Sequence, residues 1–368
     1  MMMIDMRLWM RFAFGTLAAA TCLAAPSPAF AQDSRHIIES ARTLTTKDAI
    51  NEKGFVTIGG IKQWVSVRGR HRSNPILLVL HGGPAFTVSP VSYWYMRDWE
   101  EYFTVVQWDQ RGAGKTYAAN DPAAVRPTMS VDRLVEDGTE LIRHLTKTYA
   151  KRKVVLFAHS FGTLLGVKLA QRHPELLYAY VGTGQFTDFQ RSEALGYQQT
   201  LADAQAAHNE QAVRDLRKIA PFPDPVYPER NLQNLGIERR WLAEYGGYYW
   251  AGGVGHNGAI ASLSPDYTAD ELKIRDEAQG FSDTLLWPEL GRVNLMDRTR
   301  FRVPVIILQG RHDRGTSSAL AAEWFARVKA PAKQLVWFED SAHMTYEEEP
   351  GKMLVTLVER VLPLTRGK

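Results

Sequence analysis

Residues 76–80, Ile-Leu-Leu-Val-Leu, form an unbroken apolar run between Pro75 and the turn His81-Gly82-Gly83-Pro84. A run so short and so uniformly apolar suits a strand covered on both faces, and such strands belong to parallel sheets whose crossover helices supply the covers. The signature returns at Val154–Ala158 and Val305–Leu308, with β-rich runs at Phe103–Trp108, Leu177–Val181 and Gln334–Phe338. Helical stretches stand between them: from Val131 to about Tyr149 behind the capping residue Ser130, then Phe161–Arg172, Ser318–Val328 and Pro350–Val361. Phe55–Val67 reads as an opening hairpin turned at Gly59-Gly60. This alternation predicts an α/β fold with a mostly parallel central sheet flanked by helices.

The alternation stops after Val181 and resumes only at Val303. The intervening sequence holds helical patches, Pro221-Phe222-Pro223-Asp224-Pro225 and an aromatic, glycine-rich segment from Tyr245 to Gly258. It is expected to be an insertion, so that strands distant in sequence join one sheet. At the other end, Arg7 and Arg11 precede an apolar stretch from Phe12 to Ala25, and Pro26-Ser27-Pro28-Ala29-Phe30-Ala31 follows. Basic residues, a short apolar run and a small-x-small site predict a secretory signal cleaved after Ala31. The run is shorter than the roughly 18 to 20 apolar residues that a spanning helix needs. The expected organisation is a signal peptide at 1–31, a sheet domain at 32–184 and 301–368, and a mainly helical cap at 185–300. The expected location is the periplasm or the exterior, without stable membrane insertion. Cys22, the only cysteine, leaves with the signal, so the mature chain would rely on its core and carry no disulfide. A net charge of +4, with Lys and Arg interspersed among acids, gives no nucleic-acid footprint.

Three sites at strand ends carry the chemistry. Ala158-His159-Ser160-Phe161-Gly162 joins a buried strand to a helix, a sharp turn that would present the Ser160 hydroxyl above a helix N-terminus. Asp313 follows Val305–Leu308, and His343 follows Gln334–Phe338. Open α/β sheets place their sites at such carboxyl ends. His343 is expected to take the Ser160 proton and Asp313 to orient His343. The backbone N–H groups of Gly83 and Phe161 are the candidate oxyanion donors, because Pro84 has none to give.

His81-Gly82-Gly83-Pro84-Ala85, Asp109-Gln110-Arg111-Gly112-Ala113-Gly114 and the serine turn together resemble the proline iminopeptidase branch of the α/β-hydrolases. The likeness covers roughly 54–184 and 301–368. It implies an α/β-hydrolase fold with a helical cap, and a serine hydrolase acting on an ester or amide of a small molecule or short peptide, possible aminopeptidase activity included. Members usually have Gly at the position of Ala85 and Trp at that of Phe161. In the family's aminopeptidases, acidic cap residues bind the substrate amine; Glu193, Glu229, Glu238 and Glu244 are the candidates here. A carboxylesterase or lactonase without peptidase activity is the alternative. Epoxide hydrolase chemistry would put Asp where Ser160 stands, and a non-catalytic binding protein would more often lack one of the three residues.

Other signals read as structural. Gly114-Lys115-Thr116 lacks the glycine five residues earlier that a phosphate loop needs, since Asp109 is there. Gly252–Gly258 with His256 does not join a buried strand to a helix, which argues for a loop or cap wall. His159 and His312 are expected to pack, His81 to shape the oxyanion loop, and Glu347-Glu348-Glu349 to favour a helix N-terminus before Pro350. Asp340 is the rival to Asp313 by proximity to His343. No zinc-ligand spacing appears, so no metal or other cofactor is expected. Oligomeric state is not legible.

Overall fold

The computed structural model describes residues 28–226, 228–250 and 257–366. Of the expected signal segment, 1–27 lies outside the described residues, and the rest opens α1 (Pro28–Ala41). His256 and the glycines at 252, 253 and 255 also lie outside them.

The hairpin is β1 (Ile50–Ile58) and β2 (Ile61–Gly69), paired antiparallel from Ile50 with Gly69 to Ile58 with Ile61. Then come β3 (Ile76–Leu80), α2 (Ser89–Tyr95), β4 (Thr104–Asp109), the short α3 (Gly114–Ala118) and α4 (Pro122–Val125), and the long α5 (Val131–Thr148). Ser130 caps α5 as expected, its Oγ accepting the Arg133 N–H at 3.0 Å. β5 (Val154–His159), α6 (Phe161–Arg172) and β6 (Leu177–Thr183) complete the first part of the sheet.

The cap follows, with α7 (Phe189–Ala206), α8 (Glu210–Lys218), α9 (Pro228–Glu244), α10 (Asn257–Ser262) and α11 (Ala269–Leu290). The chain returns to the sheet at β7 (Val305–Gly310), continues through α12 (Ser318–Arg327) and β8 (Lys333–Phe338), and ends in α13 (Thr345–Glu348) and α14 (Pro350–Thr356). The helix expected to reach Val361 stops at Thr356, and Leu357–Val361 is a π turn. Pro363 just beyond has no N–H with which to continue an α ladder.

The strand order is β1-β2-β4-β3-β5-β6-β7-β8, parallel from β4 to β8. β3 shows why its sequence is unbroken: Ile76, Leu78 and Leu80 enter the core shared with α5 and α6, and Leu77 and Val79 enter the core on the other face. Each such side chain contributes ~1.5–3 kcal/mol of burial, which fixes the register on both faces at once. The cap has its own small core around Tyr197, Leu216, Phe222 and Trp241. Among the described residues no helix is long and apolar enough to cross a membrane.

The Asp109–Gly114 motif fastens these parts together. Buried Asp109 accepts from Thr87 Oγ1 at 2.5 Å, Ser89 Oγ at 2.7 Å and the Lys115 N–H at 2.9 Å, and also from the cap hydroxyl of Tyr267. Arg111, also buried, pairs with Asp137 at 2.7 Å and donates to the Gly59 carbonyl of the hairpin turn at 2.8 Å. Because β3 has β4 on one side and β5 on the other, the loops leaving β3 and β5 open a crevice at the carboxyl end of the sheet.

Candidate active site

Ser160 sits between β5 and α6 with φ 54° and ψ −124°, a sparsely populated positive-φ conformation that costs an L-residue about 1–3 kcal/mol. The neighbours impose it. The Ser160 N–H donates to the Thr183 carbonyl at 3.0 Å, and α6 starts at the next residue. Gly162 packs so closely on the β3 end that a Cβ there would lie 2.2 Å from the Leu80 oxygen. Ala158, where the motif usually has glycine, is accommodated because Gly166 faces it; a Cβ on Gly166 would fall 3.2 Å from the Ala158 Cβ.

Gly162→Ala therefore forces a methyl into a backbone carbonyl. The expected result is a destabilisation of ~1–3 kcal/mol, the usual cost of overpacking, together with a large fall in kcat as the turn shifts. Urea unfolding and turnover measured on one preparation check this; an unchanged midpoint and rate would contradict the elbow geometry.

Gly83 follows β3 with φ 111°, a conformation that suits glycine. Ala85 occupies φ 58°, which accounts for the usual glycine at that position and leaves this chain with local strain. His81 is buried with both ring nitrogens engaged: Nδ1 donates to the Gly82 carbonyl at 2.9 Å and Nε2 accepts the Gln110 N–H at 3.3 Å. Burial lowers its pKa. It shapes the loop and has no free nitrogen to act as a base.

The structure brings Asp313 and His343 together. His343 Nδ1 donates to the Asp313 carboxylate at 3.0 and 3.1 Å, and both residues are buried. A carboxylate only accepts, so Nδ1 carries the proton and Nε2 is left as a base. Gln309 Nε2, Thr316 Oγ1 and the Thr316 N–H each donate to the same carboxylate at 2.9 Å. Asp340 is exposed, and its N–H is used on Glu349. His159 packs its ring on that of His343, centroids 4.7 Å apart, and its Nε2 donates to the His343 carbonyl at 3.1 Å. Burial, then the charge of His343, hold the His159 pKa well below its ordinary value, so it stays neutral. His312 turns away and stacks on Trp250.

Ser160, His343, Gly83 and Phe161 line one cavity of ≈ 390 Å³ beneath the cap. Three cap helices wall it, each with a stripe at helical spacing: Phe189 and Glu193 on α7, Leu235 and Arg239 on α9, Asp283 and Trp287 on α11. Phe189 and Trp287 meet edge to face at 5.2 Å, close to Phe161, and form the apolar end. At the polar end Arg239 pairs with both Glu193 and Glu238. Burial raises Glu238 to about 7 against the opposing pull of Arg239. Of the other candidate cap acids, Glu244 is exposed, and the side chain of Glu229 is outside the described residues.

The cap segment Gly247–Trp250 runs over the loops that carry Asp313 and His343. Its carbonyls at Gly247 and Tyr248 accept the N–H groups of Arg314 and His343 at 3.2 and 3.0 Å, and the Tyr248 ring faces the His343 imidazole, centroids 5.3 Å apart. Of the three acids expected at the helix N-terminus before Pro350, Glu349 holds the N-cap position of α14, whereas Glu347 and Glu348 lie in the first turn of α13 and their carboxylates fasten this segment. Glu347 turns inward and accepts from Tyr249 Oη at 2.7 Å and Asn257 Nδ2 at 3.0 Å, and Glu348 accepts the N–H groups of Trp250 and Ala342. Burial pushes Glu347 up to about 7. Sequence reasoning missed Gln309, Thr316, Arg239, Asp283 and Tyr248, since none of them lies in a motif.

The family model for alpha/beta hydrolases matches residues 76–356. The probable aminopeptidase YbaC of Bacillus subtilis (strain 168) is 28% identical over 308 residues, 82% of this chain and 93% of that relative. The solved structure of the proline iminopeptidase-related protein TTHA1809 from Thermus thermophilus has a TM-score of 0.62 at 24% identity, covering 86% of this chain and 99% of its own. The structure of the proline iminopeptidase of Mycobacterium smegmatis also has a TM-score of 0.62, at 16% identity, covering 85% of this chain and 99% of its own. At these identities the two structures speak to the fold.

Proposed function

The chain belongs to the alpha/beta hydrolase family, and from that premise we propose that it is a serine hydrolase with aminopeptidase-type specificity, cleaving an amide or ester of a small amino-acyl substrate. One observation carries the reading: Ser160, held at a left-handed turn, shares one cavity with His343, whose Nδ1 is fixed by Asp313.

In the proposed reaction Ser160 Oγ bonds to the substrate carbonyl carbon while its proton passes to His343 Nε2. The N–H groups of Gly83 and Phe161 stabilise the oxyanion; that of Phe161 belongs to the first turn of α6, where backbone donors lack intrahelical acceptors. Collapse breaks the bond to the leaving group, which takes the proton from Nε2, and a water then releases the acid by the same path. The cavity admits a small substrate. Glu193 at its polar end is the proposed partner of the substrate amine, with Glu238 behind it holding Arg239, and similarity to a probable aminopeptidase supports this.

A panel of amino-acyl 4-nitroanilides and simple 4-nitrophenyl esters tests the reading. Hydrolysis of the anilides is expected; activity on esters alone would favour a carboxylesterase or lactonase. The same panel has a pH signature. Burial raises Asp283 and Glu238 to about 7 each, with Arg239 opposing both. Below pH 7 they are largely neutral, and Glu193 and Arg239 nearly cancel, so little charge attracts an amine. A bound ammonium favours the ionised acids, so proton release should strengthen binding as pH rises through about 7, until the substrate amine deprotonates near ~8. The ratio of kcat/KM for an amino substrate to that for its des-amino analogue should thus rise several-fold between about pH 6 and 7.5. Effects of the triad are common to both and cancel. A flat ratio would contradict the acidic pocket.

A further inference from the structure

Strands β4, β3, β5, β6, β7 and β8 run parallel, so all begin at the end of the sheet opposite the cavity, and the loops that enter them share one face. Cations that the sequence intersperses with acids gather there. Lys151-Arg152-Lys153 enters β5, and Lys151 Nζ donates at 2.6 Å to the carbonyl of Arg72 in the loop before β3. Arg366 lines the same groove as these three residues. Two strands further along, Arg300 and Lys329 are partners in a parallel bridge just ahead of β7 and β8, and Arg302 lines the groove beside them.

These charges are not compensated. Glu101, Glu175 and Asp297, on the same loops, are already matched by Arg70 at 2.7 Å, His173 at 3.2 Å and Arg327 at 2.6 Å. Arg152, Lys153, Arg300, Arg302, Lys329 and Arg366 form no ion pair among the described residues, and all but the half-buried Lys153 are exposed. The crowding acts on a member of the group itself: burial, then the charge of Arg72, lowers the Lys151 pKa. From β3 to β8 there are four strand spacings, so the row of unmatched cations is ~20 Å long. A row of that length and single sign fits a surface that repeats its negative charge rather than one small anion. Tyr102, 40% exposed on the rim of the Lys151 groove, offers an amphipathic ring of the kind that settles at a headgroup layer.

We propose that this face is a peripheral docking surface for a bilayer that carries anionic phospholipid, held by charge and without insertion. The export signal expected at 1–31 would bring the chain beside such a surface and away from nucleic acid. The length of the strands separates the face from Ser160, so a chain docked there turns its cavity away from the lipid and toward substrates dissolved in the surrounding water. Docking of this kind is independent of which acyl group the cavity accepts.

Co-sedimentation of the purified full chain with vesicles tests this, using phosphatidylcholine alone or mixed with an equal part of phosphatidylglycerol, in about 0.1 M salt. Binding about tenfold or more tighter to the anionic vesicles is expected, and it should weaken as salt rises. Arg152→Gln with Lys153→Gln, and Arg300→Gln with Arg302→Gln, should each lower that affinity about tenfold or more, since one basic residue near an anionic bilayer is worth about fivefold. The two pairs combined should lower it about a hundredfold or more. Arg214→Gln with Lys218→Gln removes the same charge from exposed ion pairs on the cap helix α8 and should leave the affinity unchanged. None of these residues lines the cavity beneath the cap, so the melting temperature and the turnover of a soluble ester should stay at wild-type levels in every variant and report an intact fold. Equal binding to neutral and anionic vesicles, or an equal loss in the cap variant, would overturn the proposal. Tighter binding to duplex DNA than to the anionic vesicles would overturn it as well. Each of those results would leave the hydrolase reading in place, whereas loss of ester turnover in wild type would strike at that reading alone.

Discussion

Replacing Ser160 with alanine should lower kcat by about four to six orders of magnitude, the scale at which removal of a nucleophile disables a triad. KM and thermal stability should change little. The hydroxyl takes part in no hydrogen bond among the described residues that the fold would miss, and alanine inherits the backbone angles set by the Thr183 carbonyl and by the packing of Gly162. That combination separates a nucleophile from a structural serine. Turnover within tenfold of wild type would hand the nucleophilic role to another group.

Asp313→Asn is expected to have the next largest effect, a fall of about 10⁴ in kcat with the fold retained. The reason is tautomeric. The carboxylate takes donors from His343, Gln309 and both donors of Thr316. His343 Nδ1 lies 3.1 Å from Oδ1 and 3.0 Å from Oδ2, so whichever side takes the amide NH₂ presents a donor to it, and the neutral side chain no longer stabilises the imidazolium. Two donors cannot face each other, so His343 is driven to carry its proton on Nε2 and can no longer accept that of Ser160. Activity near the wild-type level would return Asp340 to consideration.

The inner strands of the sheet were legible because they are covered on both faces. Leu77 and Leu78 enter opposite cores, so neither position tolerates a polar residue, and the run has no gap to blur it. The candidate catalytic residues were legible for a related reason: strand ends in this topology converge, so position along the chain implies position in space. The cap gave no such handle. Its helices α7, α9 and α11 are apolar where they meet the sheet and one another and also line the cavity, so polar residues such as Glu193, Arg239 and Asp283 do not mark a solvent face. Glu193 and Glu238 were among the candidate acids, but only the folded chain pairs both with Arg239 and brings in Asp283 from α11, 90 residues beyond Glu193 in sequence. Glu347 misled by its neighbours, because a run of three acids before Pro350 reads as a solvated helix start, whereas its carboxylate is buried against Tyr249 and Asn257.

The central claim is that Ser160 is the activated nucleophile. Reaction of the purified protein with a fluorophosphonate, followed by proteolysis and peptide mass measurement, tests it without any assumption about substrate. One adduct per chain is predicted, on Ser160, absent from Ser160→Ala and formed far more slowly in Asp313→Asn. An adduct elsewhere, or one that persists in Ser160→Ala, would contradict the account.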